Sequence, residues 1–255
     1  MIEFIKAIII GIIQGITEVL PISSSAHNAI IYYYFYDSSI TLTNEIFLHF
    51  SSLLALIIFM RKDIMELIND LFNKNFKSII NIIIATIPAF IMYLLFKNIF
   101  NSVLDSIILI GFFLLITSLI NLFIYSLYNK TAKDNITYKD SILIGVCQSF
   151  ALIPGISRSG ITLYGGLLKG INYQKIVKFS LFLFMVATTG SIILEFENIK
   201  NIDLNLINFV TFFTTFIFTF LSLKLIVNKI KRNHFIYFSL YTFILGLIII
   251  ILNSR

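Results

Sequence analysis

The chain has 255 residues, of which 58% are hydrophobic and 13% charged, with a formal net charge of +6 and a mean hydropathy of +0.94. Soluble domains carry about a quarter charged residues, so this composition excludes a soluble globular protein and requires lipid as the solvent. The single cysteine, Cys147, lies in an apolar stretch, which excludes a disulfide framework and a cysteine metal site.

The N-terminal stretch holds Lys6 and an apolar run, but Gln14, Thr17 and Glu18 stand where a signal peptide would have small residues, so it is expected to belong to the mature fold. Residues 1–36 are apolar yet interrupted by the polar loop Pro21 to His27, and neither half is comfortably long enough to span. Three candidates follow at 43–61, 78–98 and 105–127, against the roughly 20 residues a spanning helix needs. Residues 141–168 are interrupted in turn by Pro154 to Gly160, and three more candidates follow at 174–195, 205–227 and 235–252. Irregular backbone at membrane depth is tolerated only inside protein or along a wet cavity, so both interrupted regions are predicted to be re-entrant helical hairpins. Pro21 and Pro154 are each expected to end the first helix of their hairpin.

The two interrupted regions resemble each other. Gly11 and Gln14 recur as Gly145 and Gln148, and Pro21 with Ser23-Ser24-Ser25 recurs as Pro154 with Ser157-Arg158-Ser159. Each copy precedes three spans, which predicts an all-α polytopic membrane protein with an inverted-topology repeat, six transmembrane helices and two re-entrant hairpins. The single membrane domain then divides into a first repeat, 1–127, and a second, 128–255. Known folds of this kind place the site at mid-membrane where broken helices meet. Under this topology one face collects Arg61, Lys62, Lys74, Lys77, Lys130, Lys133, Lys139, Lys169, Lys175, Lys178, Lys224, Lys229, Lys231 and Arg232. The other holds only Lys6, Lys97, Lys200 and Arg255. The first face is therefore expected to be cytoplasmic, with both termini outside.

Charges at membrane depth cost at least about 2.5 to 3.5 kcal/mol each, which makes Glu18, His27, Glu45, His49 and Arg158 functional candidates. Arg158 stands between Ser157 and Ser159 and before Gly160; a planar guanidinium, hydroxyls and accessible amides at a helix start suit a phosphate. Its alternative is to tie the loop to a carboxylate such as Glu18. Gln14 and Glu18 share a helix face ahead of Ser23, Ser24, Ser25 and His27, a set sufficient for phosphoryl transfer by a hydroxyl and its proton acceptor. Serines also cap helices, so Ser24 or Ser25 could instead cap the second half-helix, and His27 could be a structural histidine. Glu45 and His49, again one turn apart, either support the site from behind or pair with each other. Thr162 either donates to phosphate or bonds back to its own helix. Gly11 and Gly15 read as a close helix contact.

Gln14-Gly-Ile-Thr-Glu18-Val-Leu-Pro21-Ile-Ser23-Ser24-Ser25-Ala-His27, with Pro154-Gly-Ile-Ser157-Arg158-Ser159-Gly160, resembles the undecaprenyl pyrophosphate phosphatase family, also known for bacitracin resistance. Asn44-Glu45 through Leu56, Arg61-Lys62-Asp63, and Gly166 to Gly170 with Phe179-Ser180 extend the likeness over essentially the whole chain. The resemblance implies a metal-assisted hydrolase of the cell membrane, active toward the outer face, that removes the terminal phosphate of a polyprenyl pyrophosphate and recycles the carrier for cell-envelope glycans.

By position, Glu18, Ser24 and His27 match the functional residues of the first motif, and Ser157, Arg158 and Thr162 those of the second. Expected roles are Glu18, Ser24, His27 and Arg158 in catalysis, and Gln14, Ser23, Ser25, Ser157, Ser159, Gly160 and Thr162 in substrate binding. Ser24 is the candidate nucleophile and His27 its proton partner, with direct attack by water as the competing mechanism. Glu18 is the candidate ligand of a divalent cation, Mg2+ or Ca2+. Departures are Gln14, where glutamate is frequent, Ala26 and Ser51, where glycine is usual. The expected partners are the lipid substrate and the membrane, with a homo-oligomer left open and no nucleic acid. A transporter or flippase using the same inverted-repeat site is the alternative of a different class.

Overall fold

A computed structural model of the chain describes residues 1–36, 42–130, 133–194, 196 and 205–254. These residues form eleven α-helices and one 3-10 turn. The first hairpin is α1 (Ile2–Thr17) and α2 (Ser24–Tyr36). It is followed by α3 (Leu42–Phe59), α4 (Arg61–Phe72), α5 (Lys77–Leu104) and α6 (Ile107–Leu127), with the 3-10 turn Tyr128–Lys130. The second hairpin is α7 (Tyr138–Phe150) and α8 (Arg158–Leu168). The remaining helices are α9 (Tyr173–Leu194), α10 (Leu206–Asn228) and α11 (His234–Asn253).

Five of these helices, α5, α6, α9, α10 and α11, are long and apolar enough to cross a membrane. The sequence-based expectation was six. The stretch expected to span at 43–61 contains α3, whose apolar part Asn44–Phe59 is shorter than the other five. The helix breaks at Met60, where φ is −91° and ψ 13°, and Arg61 opens α4. Helix α4 was not expected from the sequence. Its Ile64 and Leu67 pack against the core, whereas Met65, Ile68, Leu71 and Phe72 are exposed beside charged Arg61, Lys62, Glu66 and Asp70.

The two prolines act one turn earlier than expected. Helix α1 ends at Thr17 and α7 at Phe150, four residues before Pro21 and Pro154. A proline removes the bond to the carbonyl of residue i−4 and its ring crowds that same carbonyl. Thr17 and Phe150 are those i−4 residues, so in both hairpins the helix stops where the proline first interferes.

Each hairpin returns to the end at which it starts. Lys6 in α1 lies 4.4 Å from the ring centroid of Tyr36 at the end of α2, and Asn253 donates to the Tyr34 hydroxyl at 2.8 Å. At the opposite end of the molecule, the amide of Lys133, ahead of α7, donates to the Gly170 carbonyl just past α8. Lys178 pairs there with Asp63, Arg232 donates to the Tyr125 carbonyl, and the rings of Tyr128, Tyr173 and Phe235 cluster. Thirteen of the fourteen basic residues assigned to the crowded face are described with their side chains. On the sparse face, Lys200 and Arg255 lie outside the described residues.

Several of the main helix pairings recur when the two halves of the chain are exchanged. Helix α1 packs on α10 as α7 packs on α5, and α3 on α10 as α9 on α5, while α6 packs on α11, its own counterpart. Small residues permit the closest of these contacts. A Cβ on Gly11 would lie 2.7 Å from Thr214 Cβ and one on Gly15 2.6 Å from Phe218 Cβ, both on α10. The corresponding glycine of the second hairpin, Gly145, would meet the Ala85 carbonyl on α5 at 2.5 Å. Ser51 donates to the Phe212 carbonyl at 2.6 Å and ties α3 to α10.

Candidate active site

The two polar loops meet. Ser159 Oγ in the second loop donates to the Leu20 carbonyl in the first at 3.0 Å. Both loops hang from one face of α6: Asn121 Nδ2 donates to the Pro21 carbonyl at 2.7 Å, and Thr117 Oγ1 donates to the Gly155 carbonyl at 2.7 Å. Thr117 Oγ1 also accepts from the Ser157 amide at 3.0 Å. Thr117 and Asn121 are fully buried and one turn apart, so a single helix face sets the relative height of the loops. Neither was expected from the sequence. The available signal was a polar pair at helical spacing inside the apolar run 105–127.

Each loop ends in a serine cap. Ser157 Oγ accepts from the Gly160 amide at 3.2 Å and caps α8. Ser23 Oγ accepts from the Ala26 amide at 3.4 Å at the start of α2. The cap of α2 is thus Ser23, where the sequence suggested Ser24 or Ser25, and Ser24 Oγ is left to other use. Ser23 sits at φ +70°, a region that L-residues other than asparagine and aspartate seldom enter, and Gly155 sits at φ +101° in the second loop.

Glu18 is the centre of the assembly. It is buried, and its Oε1 receives Arg158 Nη2 across the two loops. Its Oε2 accepts from Gln14 Nε2 at 2.7 Å and Ser24 Oγ at 2.9 Å, and lies 2.7 Å from His49 Nδ1. His49 Nε2 is 4.0 Å from Glu45 Oε1, so the α3 pair is joined to Glu18 as well as to itself. The guanidinium of Arg158 stacks on Phe184 of α9 at 3.7 Å from the ring centroid. The sequence alternative for Arg158, a tie to Glu18, is therefore present, and it leaves the rest of the guanidinium fork and the cavity side available to an anion.

A cavity of about 200 Å³ opens on this cluster. Its walls include Glu18, Ser23, Ser24, Ser25, Glu45, His49, Ser157 and Arg158, with Tyr93 and Lys97 of α5 and Thr188 and Ser191 of α9 toward the sparsely basic end. Five other expected residues stand behind this wall. Gln14 is buried between Glu18 and Asn28, whose Nδ2 donates to Gln14 Oε1 at 2.6 Å. Gly160 gives its amide to Ser157 Oγ, and Ser159 bonds Leu20. Thr162 is buried, donates to the Arg158 carbonyl at 2.8 Å and lies 2.6 Å from Ser180 Oγ, which is its helix-bonding alternative.

His27 is the fifth, and it is not brought to Ser24. Its Nδ1 lies 2.7 Å from the Ser23 carbonyl and its Nε2 2.7 Å from the Tyr241 hydroxyl of α11. The hydrogen bond from Ser24 Oγ goes to Glu18, where His27 was the expected partner.

Chemically, the cavity combines a hydroxyl hydrogen-bonded to a carboxylate, an arginine at a helix N-terminus, and walls drawn from both halves of a helical membrane protein. These are the parts of a lipid-embedded phosphoryl-transfer site. Residues 7–248 match the family model described as bacitracin resistance protein BacA, and the chain belongs to that family. It is 37% identical to an undecaprenyl-diphosphatase of Acholeplasma laidlawii, covering 99% of this chain and 98% of the relative. It is 33% identical to undecaprenyl-diphosphatase 1 of Bacillus cereus, with 97% of each chain covered. It is 35% identical to undecaprenyl-diphosphatase 2 of Halalkalibacterium halodurans, with 97% and 95% covered.

Proposed function

We propose that this protein is an undecaprenyl-diphosphatase that cleaves a polyprenyl pyrophosphate to the monophosphate and inorganic phosphate, and so recycles the lipid carrier for cell-envelope glycans. The observation that carries the site assignment is the convergence of Ser24 and Glu18 from one loop with Arg158 from the other on a single cavity. Ser24 Oγ attacks the terminal phosphorus as its proton passes to Glu18 Oε2. The bond to the bridging oxygen breaks, and the prenyl monophosphate leaves with that electron pair. Water then attacks the phosphoserine phosphorus; the bond to Ser24 Oγ breaks, Glu18 returns its proton to Oγ, and inorganic phosphate leaves carrying the oxygen and protons of the water. Arg158 and the amides at the start of α8 neutralise charge on the transferring group, where positioning and electrostatics do most of the work.

A divalent cation, Mg2+ or Ca2+, fits the donor chemistry of the cavity. Glu45 offers a hard oxygen ligand, and among the described residues no group of three or more histidines, cysteines or carboxylates forms a closed cage. Such a cation would be held by Glu45 together with substrate phosphates, as Mg2+ commonly is, and would supply further charge neutralisation; Glu18, the ligand expected from the sequence, has its oxygens engaged by Arg158, Gln14, Ser24 and His49.

The recurrence of several main helix pairings between the two halves supports an inverted repeat, 1–127 and 128–255, with α1–α2 and α7–α8 as re-entrant hairpins and six spans when α3 is included. The basic residues support an outer face at the end where α1 begins and α11 ends, toward which the cavity opens. The decisive experiment is phosphate release by the purified protein in detergent, across polyprenyl chain lengths, with and without a chelator. Release that the chelator abolishes is expected; no release with any chain length or cation would favour transport without hydrolysis.

A further inference from the structure

We infer that Tyr241 and His27 form a lock on the first loop, so that His27 is a positioning residue for Ser24 rather than its proton acceptor. The inference rests on the hydrolytic reading above and refines it.

Hydrogen-bond polarity fixes the state of the ring. A carbonyl oxygen only accepts, so at 2.7 Å from the Ser23 carbonyl the Nδ1 of His27 must carry the proton. In the neutral ring Nε2 is then an acceptor, and the Tyr241 hydroxyl donates to it at 2.7 Å. The two rings are nearly parallel, 13° apart with centroids 5.6 Å from each other, so the tyrosine also fixes the plane of the imidazole. Both nitrogens are thereby committed in the ring plane, and neither faces Ser24 Oγ, which donates to Glu18 instead.

What the lock holds is a strained residue. Ser23 stands at φ +70°, and a serine stays there only where its surroundings over-determine the conformation. Its carbonyl takes the His27 Nδ1 proton, and its Oγ takes the Ala26 amide. That backbone turn aims the next residue, Ser24, into the cavity. Tyr241 comes from the last helix of the chain, so the C-terminal half contributes a part of the first loop that lies outside both repeated motifs.

The test uses the full-length protein in detergent with a polyprenyl pyrophosphate, reading kcat, KM and thermal stability for His27→Asn, His27→Ala and Tyr241→Phe. An asparagine amide can place a donor near the position of Nδ1 but cannot exchange a proton. His27→Asn is therefore expected to hold kcat within about 10-fold of the wild type, whereas loss of a general acid–base group costs roughly 100-fold or more. His27→Ala falls well below His27→Asn. Tyr241→Phe keeps the stacked ring and loses one hydrogen bond, for an expected drop in kcat of about 3- to 10-fold at near-constant KM. A folded His27→Asn as inactive as His27→Ala would overturn the lock, as would an unchanged kcat in Tyr241→Phe. Should His27→Ala fail to fold, Tyr241→Phe and His27→Asn still decide. A wild type that releases no phosphate would instead sink the hydrolytic reading itself.

Discussion

Arg158 shows how much one side chain can be asked to do. It crosses from the second loop to Glu18 in the first, lies on the face of Phe184, and borders the cavity with its remaining donors. Lysine would keep the charge but lose the planar fork and much of the stacking, so the exchange is not conservative here. Arg158→Lys is expected to lower kcat/KM by about 100-fold or more, equivalent to roughly 3 kcal/mol of transition-state stabilisation. Phosphate-release kinetics on the folded variant check this, and a loss under threefold would show that Arg158 does not stabilise the transferring phosphate. Gln14 gives Glu18 a neutral partner one turn away. Its amide donates to Glu18 and accepts from Asn28, whereas a glutamate there would set two carboxylates side by side.

Helix α6 is the element on which the site depends most. It supplies no residue to the cavity wall, yet Thr117 and Asn121 suspend the two loops from adjacent turns of one face. Thr117→Val keeps the shape and strips the hydroxyl, leaving the Gly155 carbonyl and the Ser157 amide without that partner. The expected cost is about 1–3 kcal/mol of stability for buried groups left unpaired. Thermal denaturation in detergent measures it, and kcat should fall as well because Ser157 and Arg158 lose their support. Unchanged stability and turnover would show that α6 does not set the loops. Helix α4 is an element of another kind. Its exposed apolar residues alternate with charges, the pattern of a helix lying along the lipid–water boundary.

At the scale of the whole molecule, the proposed inverted repeat has its two hairpins entering from opposite ends, and the site lies where their loops meet. This arrangement predicts sidedness. In a Cys147→Ser background, a cysteine at Ser254 should react with an impermeant maleimide added to intact cells, and one at Asn73 only after permeabilisation. The reverse pattern would overturn the orientation assigned from the basic residues. The membrane character and the two interrupting loops were legible in advance, because composition, run length and the repeated proline–serine motifs are local properties that lipid makes strict. Helix α4 was missed because its apolar residues are too few and too interspersed with charge to register as a span.

The sequence by itself determined that the chain lives in lipid and that two proline-headed loops interrupt it, and it marked Glu18, Ser24 and Arg158 as candidates for the chemistry. Those conclusions follow from the cost of charge and open backbone at membrane depth, which a local reading detects. Only the tertiary structure decided which group faces which: Ser24 with Glu18, His27 with Tyr241, and both loops with α6. Ser24 and His27 are three residues apart and invite pairing, but the left-handed turn at Ser23 aims Ser24 at Glu18 while the imidazole bonds back to the Ser23 carbonyl. Partners a hundred or more residues away in sequence, Asn121 for Pro21 and Tyr241 for His27, leave no local trace, because their proximity is created by helix packing alone.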